Sequence, residues 1–321
     1  MPVIDSQFRS PAWLRNGHLQ SILPVLLPRR FPDLWQRERL ELPDGDFLHL
    51  DWLRAGSKRL ALLSHGLEGS SNTGYIRGMA HTLTGGGWDA LAWNLRSCSG
   101  EPNRLLRTYH SGETSDLRAV IKRATLDYSQ IVLIGYSLGG NLTLKYLGES
   151  QPNPTIKAGV AISAPVDLAS SARAIDQNLG NRIYRQRFIK TMVAKIKAKA
   201  KQFPGQVDLT AIDQLSTLEE FDARFTAPVF GFRDASDYWA QASSLQYLPG
   251  IELPALLLNA RNDPFLAEAS YPWAAAQRNR WLTLEAPESG GHVGFLDLTN
   301  GMQPWSERRV LQWLSALPQS Q

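Results

Sequence analysis

The segment from Ile131 to Leu147 constrains the fold of this chain more than any other. Residues 131–134 are aliphatic with no polar alternation, which is typical of a strand buried on both faces of a parallel sheet. From Leu138 onward the apolar residues recur at helical spacing. Between them lies Gly135-Tyr-Ser-Leu-Gly139, a G-x-S-x-G sequence that in such a context forms a sharp turn exposing the serine hydroxyl. The segment predicts Ser137 as a nucleophile; the alternative is an ordinary strand-to-helix turn.

The rest of the chain alternates apolar runs with helical patterns. A hairpin is predicted from strands at 37–42 and 47–53 around Pro43-Asp-Gly-Asp46. Further predicted strands lie at 60–64, 89–94, 158–163, 254–259 and 281–285, and helices at 74–84, at 113–126 and from about Pro304. Strands that alternate with helices imply βαβ units. We expect a single α/β domain over residues 1–321, with a mostly parallel central sheet and helices on both faces.

Two segments do not follow this alternation. Residues 1–36 predict an N-terminal arm packed on the domain, to which the pattern assigns no function. Residues 167–250 show helical pattern without a convincing strand, which predicts a helical cap insertion. A helix over 182–203 has an apolar face and a lysine-rich face. We interpret the lysines as a solvated face; the alternative is contact with phospholipid or nucleic acid.

Composition limits the compartment and the partners. The single cysteine, Cys98, excludes an intrachain disulfide and suits a reducing compartment. A net charge of +4 is too small to indicate nucleic-acid binding. The apolar run at 22–28 is short and interrupted by prolines, so it predicts neither a membrane span of ~20 residues nor a secretory signal. We expect a cytoplasmic protein without nucleic-acid partners, for which transient membrane-surface contact and any oligomeric state stay open.

A serine nucleophile needs a base, and the base needs an orienting carboxylate. In folds built around this elbow the acid and the histidine follow the serine in the chain. His292 is the one histidine after Ser137, in a glycine-flanked loop beyond the last predicted strand. Asp263 follows the preceding strand, which leaves room for one helix and one strand before His292. Because Pro264 comes next, Asp263 also fits a helix N-cap, and both roles can hold at once.

The developing oxyanion needs two backbone donors. The N–H of Leu138 follows the nucleophile, and the N–H of Leu67 follows the strand at 60–64, so these two are the predicted donors. We interpret His65 as a support for that loop. The cap is expected to enclose a slot for the acyl chain, lined by Met192, Ile196 and aromatic residues of the insertion: Phe225, Phe230, Phe232, Tyr238 and Trp239.

Eight stretches distributed along nearly the whole chain carry a family resemblance: Asn16–Gln20, His65–Ser71, Cys98–Arg104, Tyr109–Thr114, Gly135–Asn141, Ala235–Tyr238, Asn262–Phe265 and Gly290–Phe295. Together they resemble the YheT-like α/β-hydrolases, relatives of the abhydrolase-domain esterases and lipases. Ser97 and Asn262 depart from the expected glycine and aspartate, and neither departure removes a predicted catalytic residue. The resemblance implies hydrolysis of medium-chain or glycerolipid esters without a cofactor or metal. His110 and Cys98 lie in its motifs; His110 is either a pocket wall or a structural hydrogen-bonding residue.

These observations predict a serine hydrolase that cleaves carboxylic esters of short- to medium-chain acyl groups through an acyl-enzyme. Its substrate would be a small acyl ester or a lipid. An acyltransferase or a thioesterase would use the same residues. A more distant alternative is a non-catalytic protein on this fold that binds lipid surfaces through the lysine-rich helix, because a fold alone does not give a function.

Overall fold

A nine-stranded sheet forms the centre of the computed structural model, which describes residues 3–149 and 151–317. Its strands are β1 (Val3–Ile4), β2 (Gln36–Glu41), β3 (Phe47–Leu53), β4 (Arg59–Ser64), β5 (Asp89–Asn94), β6 (Gln130–Tyr136), β7 (Ile156–Ile162), β8 (Ala255–Leu258) and β9 (Leu282–Glu285). Their spatial order is β1-β9-β8-β7-β6-β4-β5-β3-β2. Strand β3 is antiparallel to β2 and β5, and every other neighbouring pair is parallel. The predicted mostly parallel sheet is confirmed.

Helices cover both faces of this sheet. They are α1 (Gly17–Leu26), α2 (Gly74–Gly85), α3 (Thr114–Ala124), α4 (Leu138–Glu149), α5 (Leu168–Gln177), α6 (Arg182–Gln202), α7 (Leu218–Phe221), α8 (Ala227–Phe230), α9 (Ala235–Ala242), α10 (Trp273–Arg278) and α11 (Trp305–Ser315). Helices α2 and α11 bury Met79 and Val310 against one face, whereas α3 and α4 bury Val120 and Leu142 against the other. No helix in the described residues is long and apolar enough to cross a membrane.

The element predictions agree with the structure apart from small shifts at their ends. The hairpin is confirmed, since β2 and β3 pair from Gln36 opposite Trp52 to Glu41 opposite Phe47. Pro304 is not the first helical residue: its backbone is extended (φ −57°, ψ 133°), it serves as the N-cap of α11, and the helix begins at Trp305.

The N-terminal segment contributes two elements that the sequence pattern did not predict. Val3 and Ile4 pair in parallel with Leu284 and Glu285, so β1 extends the sheet beyond β9. Helix α1 begins after Asn16, whose side chain accepts hydrogen bonds from the N–H groups of the second and third residues that follow it. The helix continues through Pro24, although the prolines in the apolar run at 22–28 had indicated that this segment is interrupted.

Helices α5 to α9 follow β7 and precede β8 in the chain. They share a hydrophobic core of their own. No strand occurs within residues 167–250, all of which the structure describes. The interpretation of the lysines of α6 as a solvated face is wrong for two of them. Lys199 is 2% exposed and donates to the backbone oxygen of Asn103 at 2.6 Å. Lys195 lies 2.7 Å from Glu68 and 3.3 Å from the Sγ of Cys98, because the loops after β4 and β5 pack beneath this helix.

Candidate active site

Ser137 lies at the turn between β6 and α4. Its φ of 52° is in the left-handed region, which is unfavourable for a residue with a side chain. Its N–H donates to the backbone oxygen of Ile162 at 2.8 Å, which ties the turn to β7. The flanking glycines are sterically required: a Cβ at Gly135 would lie 2.0 Å from the oxygen of Gly139, and one at Gly139 would lie 2.3 Å from the oxygen of Ser64. The strained turn projects the hydroxyl of Ser137 beyond the carboxyl edge of the sheet.

A continuous hydrogen-bond chain joins Ser137, His292 and Asp263. The Nε2 of His292 lies 3.0 Å from the Oγ of Ser137, and its Nδ1 lies 2.8 Å from the Oδ2 of Asp263. The three residues follow β6, β9 and β8, whose carboxyl ends meet at one edge of the sheet. The Asp263 side chain is fully buried, and the ring of Phe265 packs 4.3 Å from the imidazole. In this geometry an imidazole can accept a hydroxyl proton while a carboxylate fixes its tautomer.

The predicted N-cap role of Asp263 is wrong. Its Oδ1 accepts a hydrogen bond from the N–H of Phe265 at 2.9 Å, which is an Asx turn. No helix begins at Pro264; the next helical residues form a short 3₁₀ turn at Glu268–Ser270. The carboxylate therefore orients its own loop and His292 only.

Helix α1 clamps the loop that carries His292, a role that the sequence analysis did not assign. The Oγ of Ser21 accepts from the N–H of His292 at 2.8 Å. The buried amide of Gln20 bonds both the N–H and the oxygen of Leu296, at 2.7 and 3.0 Å. Asn16 could have indicated the start of this helix, because asparagine is a typical helix N-cap residue. It lies in a stretch that already carried the family resemblance.

Asn262 explains one departure from the family pattern. Its Oδ1 accepts from the N–H of Gly291 at 3.0 Å, while its Nδ2 donates to the backbone oxygen of Arg15 at 2.6 Å. A carboxylate accepts hydrogen bonds but donates none. The amide therefore connects the N-terminal segment to the histidine loop in a way that an aspartate could not.

The two predicted oxyanion donors border the same cavity as Ser137 and His292. Leu138 is the first residue of α4, where backbone N–H groups have no partner within the helix and the helix dipole is positive. Leu67 follows β4 and Gly66, and a Cβ at Gly66 would lie 3.0 Å from the Cβ of Ser137. This loop therefore approaches the nucleophile closely.

His65 supports this loop, as the sequence analysis expected. Its Nε2 accepts from the N–H of Leu95 at 3.1 Å, and its Nδ1 lies 2.8 Å from the oxygen of Gly66. These contacts require a neutral ring that donates from Nδ1. Burial lowers the pKa of His65 to about 4 from its ordinary 6.5. The ring therefore stays neutral in the folded protein well below the pH at which the unfolded chain binds a proton.

We expect this histidine to lower stability in acid. Between pH 6.5 and 4 the unfolded state binds the proton and the folded state does not, so the unfolding free energy falls as the pH falls. Between pH 7 and 4 the unfolding free energy of wild type should fall by about 3 kcal/mol more than that of a His65→Gln variant. Urea unfolding at several pH values measures this difference. Equal pH slopes for the two proteins would contradict it.

The cavity beside Ser137 has a volume of about 100 Å³. Most of its lining is apolar and comes from helices α5, α6, α7 and α9, the segment just before α5 and the loop after β8: Pro165, Leu168, Ala172, Ile175, Phe188, Met192, Leu218, Tyr238, Trp239, Phe265 and Leu266. Of the predicted pocket residues, Met192 and Tyr238 line this cavity. Ile196 and His110 line an adjoining cavity of about 40 Å³ that shares several walls with it.

The aromatic residues of the insertion divide between two roles. Tyr238 and Trp239 line the cavity of Ser137, whereas Phe225 is buried within the hydrophobic core of helices α5 to α9. Phe230 and Phe232 pack against the ring of His110, at 4.6 and 5.3 Å between centroids. The Nδ1 of His110 also accepts from the N–H of Gly112 at 3.2 Å, which is the structural alternative; its role as a wall of the substrate pocket stays a prediction.

Asp222 is a polar cavity residue that no sequence signal indicated. It borders both cavities and begins a π-helical turn at Asp222–Thr226. Its two oxygens accept from the hydroxyl of Thr226 at 2.7 Å and from the Nε1 of Trp239 at 2.8 Å. Burial raises the pKa of Asp222 to about 6. It supplies a carboxyl group to a largely apolar surface.

Comparisons with known proteins extend over nearly the whole chain. A family profile described as the alpha/beta hydrolase fold matches residues 62–298. Putative esterase YheT of Escherichia coli strain K12 is 34% identical over 94% of this chain and 90% of its own. Phospholipase ABHD3 of Mus musculus is 28% identical over 92% of this chain and 75% of its own. The solved structure of the Pyrococcus furiosus esterase Pf2001 is similar in fold, with a TM-score of 0.59, 18% identity, and coverage of 90% of this chain and 96% of its own.

Proposed function

Because the chain belongs to the α/β-hydrolase fold family, we propose that it is a serine hydrolase of carboxylic esters, with Ser137, His292 and Asp263 as its catalytic groups. The observation that carries this proposal is the hydrogen-bond chain from the buried carboxylate through the imidazole to the serine hydroxyl. The direct experiment is turnover of a series of p-nitrophenyl esters by wild type beside a Ser137→Ala variant.

The reaction follows from the roles of these groups. The Oγ of Ser137 attacks the acyl carbon while the Nε2 of His292 accepts its proton. The N–H groups of Leu67 and Leu138 receive the oxyanion of the tetrahedral intermediate. His292 then returns the proton to the leaving alcohol, which leaves an acyl group on Ser137. A water molecule deprotonated by His292 releases the acid, and Asp263 stabilises the imidazolium in both halves.

In this proposal residues 1–321 form one catalytic unit in which 167–250 is the cap and 1–36 the arm. The apolar lining contributed by the cap supports a carboxylic ester with a short- to medium-chain acyl group, because burial of each methylene is worth about 0.8 kcal/mol. The names of the relatives, an esterase and a phospholipase, support ester substrates that include lipids. An acyltransferase or a thioesterase would use the same groups, and release of free acid with water as the acceptor distinguishes hydrolysis from transfer.

Met192 is expected to set acyl-chain selectivity. For wild type, kcat/KM should rise roughly fourfold per added methylene until the cavity is full. A Met192→Gln variant places a polar group in the lining and should flatten this rise, with a far larger loss for octanoate than for acetate esters. Ile196→Asn should have a smaller effect, because Ile196 borders only the adjoining cavity among those described.

The conservative Met192→Leu variant, which keeps an apolar side chain, is the matched control and should retain the rise with chain length. If Met192→Gln lowers acetate and octanoate turnover equally, helix α6 supports the core of the cap and the acyl slot lies elsewhere.

A further inference from the structure

Helix α1 exposes several apolar side chains to solvent, and its one buried residue is polar. Gln20 is fully buried, whereas Leu19 and Leu26 are 46% and 68% exposed. A surface helix of a protein in water normally shows the opposite arrangement, with its apolar stripe toward the core. The outer face of α1 is thus suited to an apolar surrounding.

The apolar exposure extends beyond this helix. Seven of the eleven exposed large apolar side chains in the described residues lie on α1, on its flanks or at the start of α6; we call them the docking patch, Trp13, Leu19, Val25, Leu26, Leu27, Leu179 and Ile183. The two segments are in contact, because the ring of His18 stacks on that of Tyr184 with centroids 5.8 Å apart. A concentration of exposed apolar side chains marks an interaction site.

Charge identifies the kind of surface that fits this patch. Residues 6–32 and 177–190, which carry the docking patch, together contain eight Lys and Arg and no Asp or Glu, although the whole chain has 34 basic and 30 acidic residues. Arg15, Arg30, Arg182 and Arg187 of these segments are exposed. A second copy of this chain would bring like charges to the patch. An anionic lipid surface brings opposite charges together with apolar depth.

We propose that the docking patch binds the surface of a bilayer that contains anionic phospholipid. The inner side of the same helix holds the histidine loop through Ser21 and Gln20, so the patch lies on the outer side of an element that contacts the site. Docking would bring the site close to lipid esters, and this consequence rests on the proposed function. Binding itself requires only the apolar and basic side chains of the patch.

The test is co-flotation of the full chain with vesicles of phosphatidylcholine, with and without about one third phosphatidylglycerol. Wild type should bind the anionic vesicles and release them at high salt. The double variant Leu26→Ser with Leu27→Ser should bind at least about tenfold more weakly, because two leucines no longer enter the bilayer. The pair Arg30→Ser with Arg182→Ser should weaken binding about fivefold per charge removed.

Matched controls come from residues that precede strands, at the amino ends of the parallel strands, whereas α1 contacts a loop at their carboxyl ends. Leu126 is 77% exposed and lies between α3 and the start of β6, so Leu126→Ser removes an exposed leucine that is not part of the patch. Lys58→Ser removes an exposed positive charge just before β4. Neither control should change vesicle binding.

Absence of wild-type binding to anionic vesicles, or equal losses in the controls, would overturn the proposal. A dimer in sedimentation velocity that the leucine variant abolishes, without vesicle binding, would assign the patch to a second copy instead. Turnover of p-nitrophenyl butyrate without vesicles is measured in parallel. If that turnover is absent while vesicle binding persists, the result contradicts the proposed function but supports the docking patch.

Discussion

Replacing Ser137 with alanine is expected to lower kcat for p-nitrophenyl butyrate by on the order of 10⁶, to the residual rate of a site without a nucleophile. The fold should be retained, because the backbone of the elbow is held by the N–H bond to Ile162 and by the flanking glycines rather than by the hydroxyl. Steady-state kinetics and a thermal melt measure the two effects separately.

Ser163 provides the matched control for this variant. It follows the neighbouring strand β7 with a similar φ of 51°, and its Oγ accepts from the N–H of Val293 at 2.9 Å. Ser163→Ala loses one hydrogen bond to the histidine loop, worth about 1 kcal/mol, so its rate should fall by no more than about fivefold even if all of that free energy appears in the activation barrier. Comparable losses in the two variants would contradict the assignment of Ser137 as the nucleophile.

Replacing Asp263 with asparagine is expected to lower kcat by on the order of 10⁴, by analogy with the serine proteases. The amide can still accept from the N–H of Phe265, so the loop is retained, but it no longer fixes the tautomer of His292 or stabilises the imidazolium. The loss should appear in kcat with little change in the melting temperature.

Asp237 and Glu288 are the other acids after Ser137 that merit comparison. Glu288 is exposed and Asp237 is half-buried, and Asp237 accepts hydrogen bonds from its own neighbourhood, from the N–H of Arg233 and the side chain of Gln241. Asp237→Asn should therefore retain nearly wild-type activity. Nearly wild-type activity in Asp263→Asn would contradict the assignment of the orienting acid.

The sequence was sufficient to predict the sheet and the residues that meet at its edge. Ser137, Asp263 and His292 each follow a strand that a short apolar run identifies, and parallel strands bring their carboxyl ends to one edge. Because the base follows the serine in the chain of such folds, His292 was then the one candidate for the base. These predictions succeed because periodicity and strand order are local properties of the chain.

The contacts that support the site were not predictable in the same way. Ser21 lies 271 residues before the His292 amide that it holds, and no periodicity links the two. The helical pattern of α6 identified an apolar and a basic face, but it could not show that the loops after β4 and β5 pack beneath Lys195 and Lys199. Asp222 enters the cavity through a π-helical turn that leaves no pattern in the sequence.

The most direct test of Ser137 as the nucleophile is covalent labelling of wild type with a fluorophosphonate, followed by peptide mass spectrometry. The hydrogen bond to His292 and the position of Ser137 in the wall of the cavity predict one phosphonylated peptide, modified at Ser137, and no label in Ser137→Ala. Label on another serine, or an active preparation that takes up no label, would contradict the proposed mechanism.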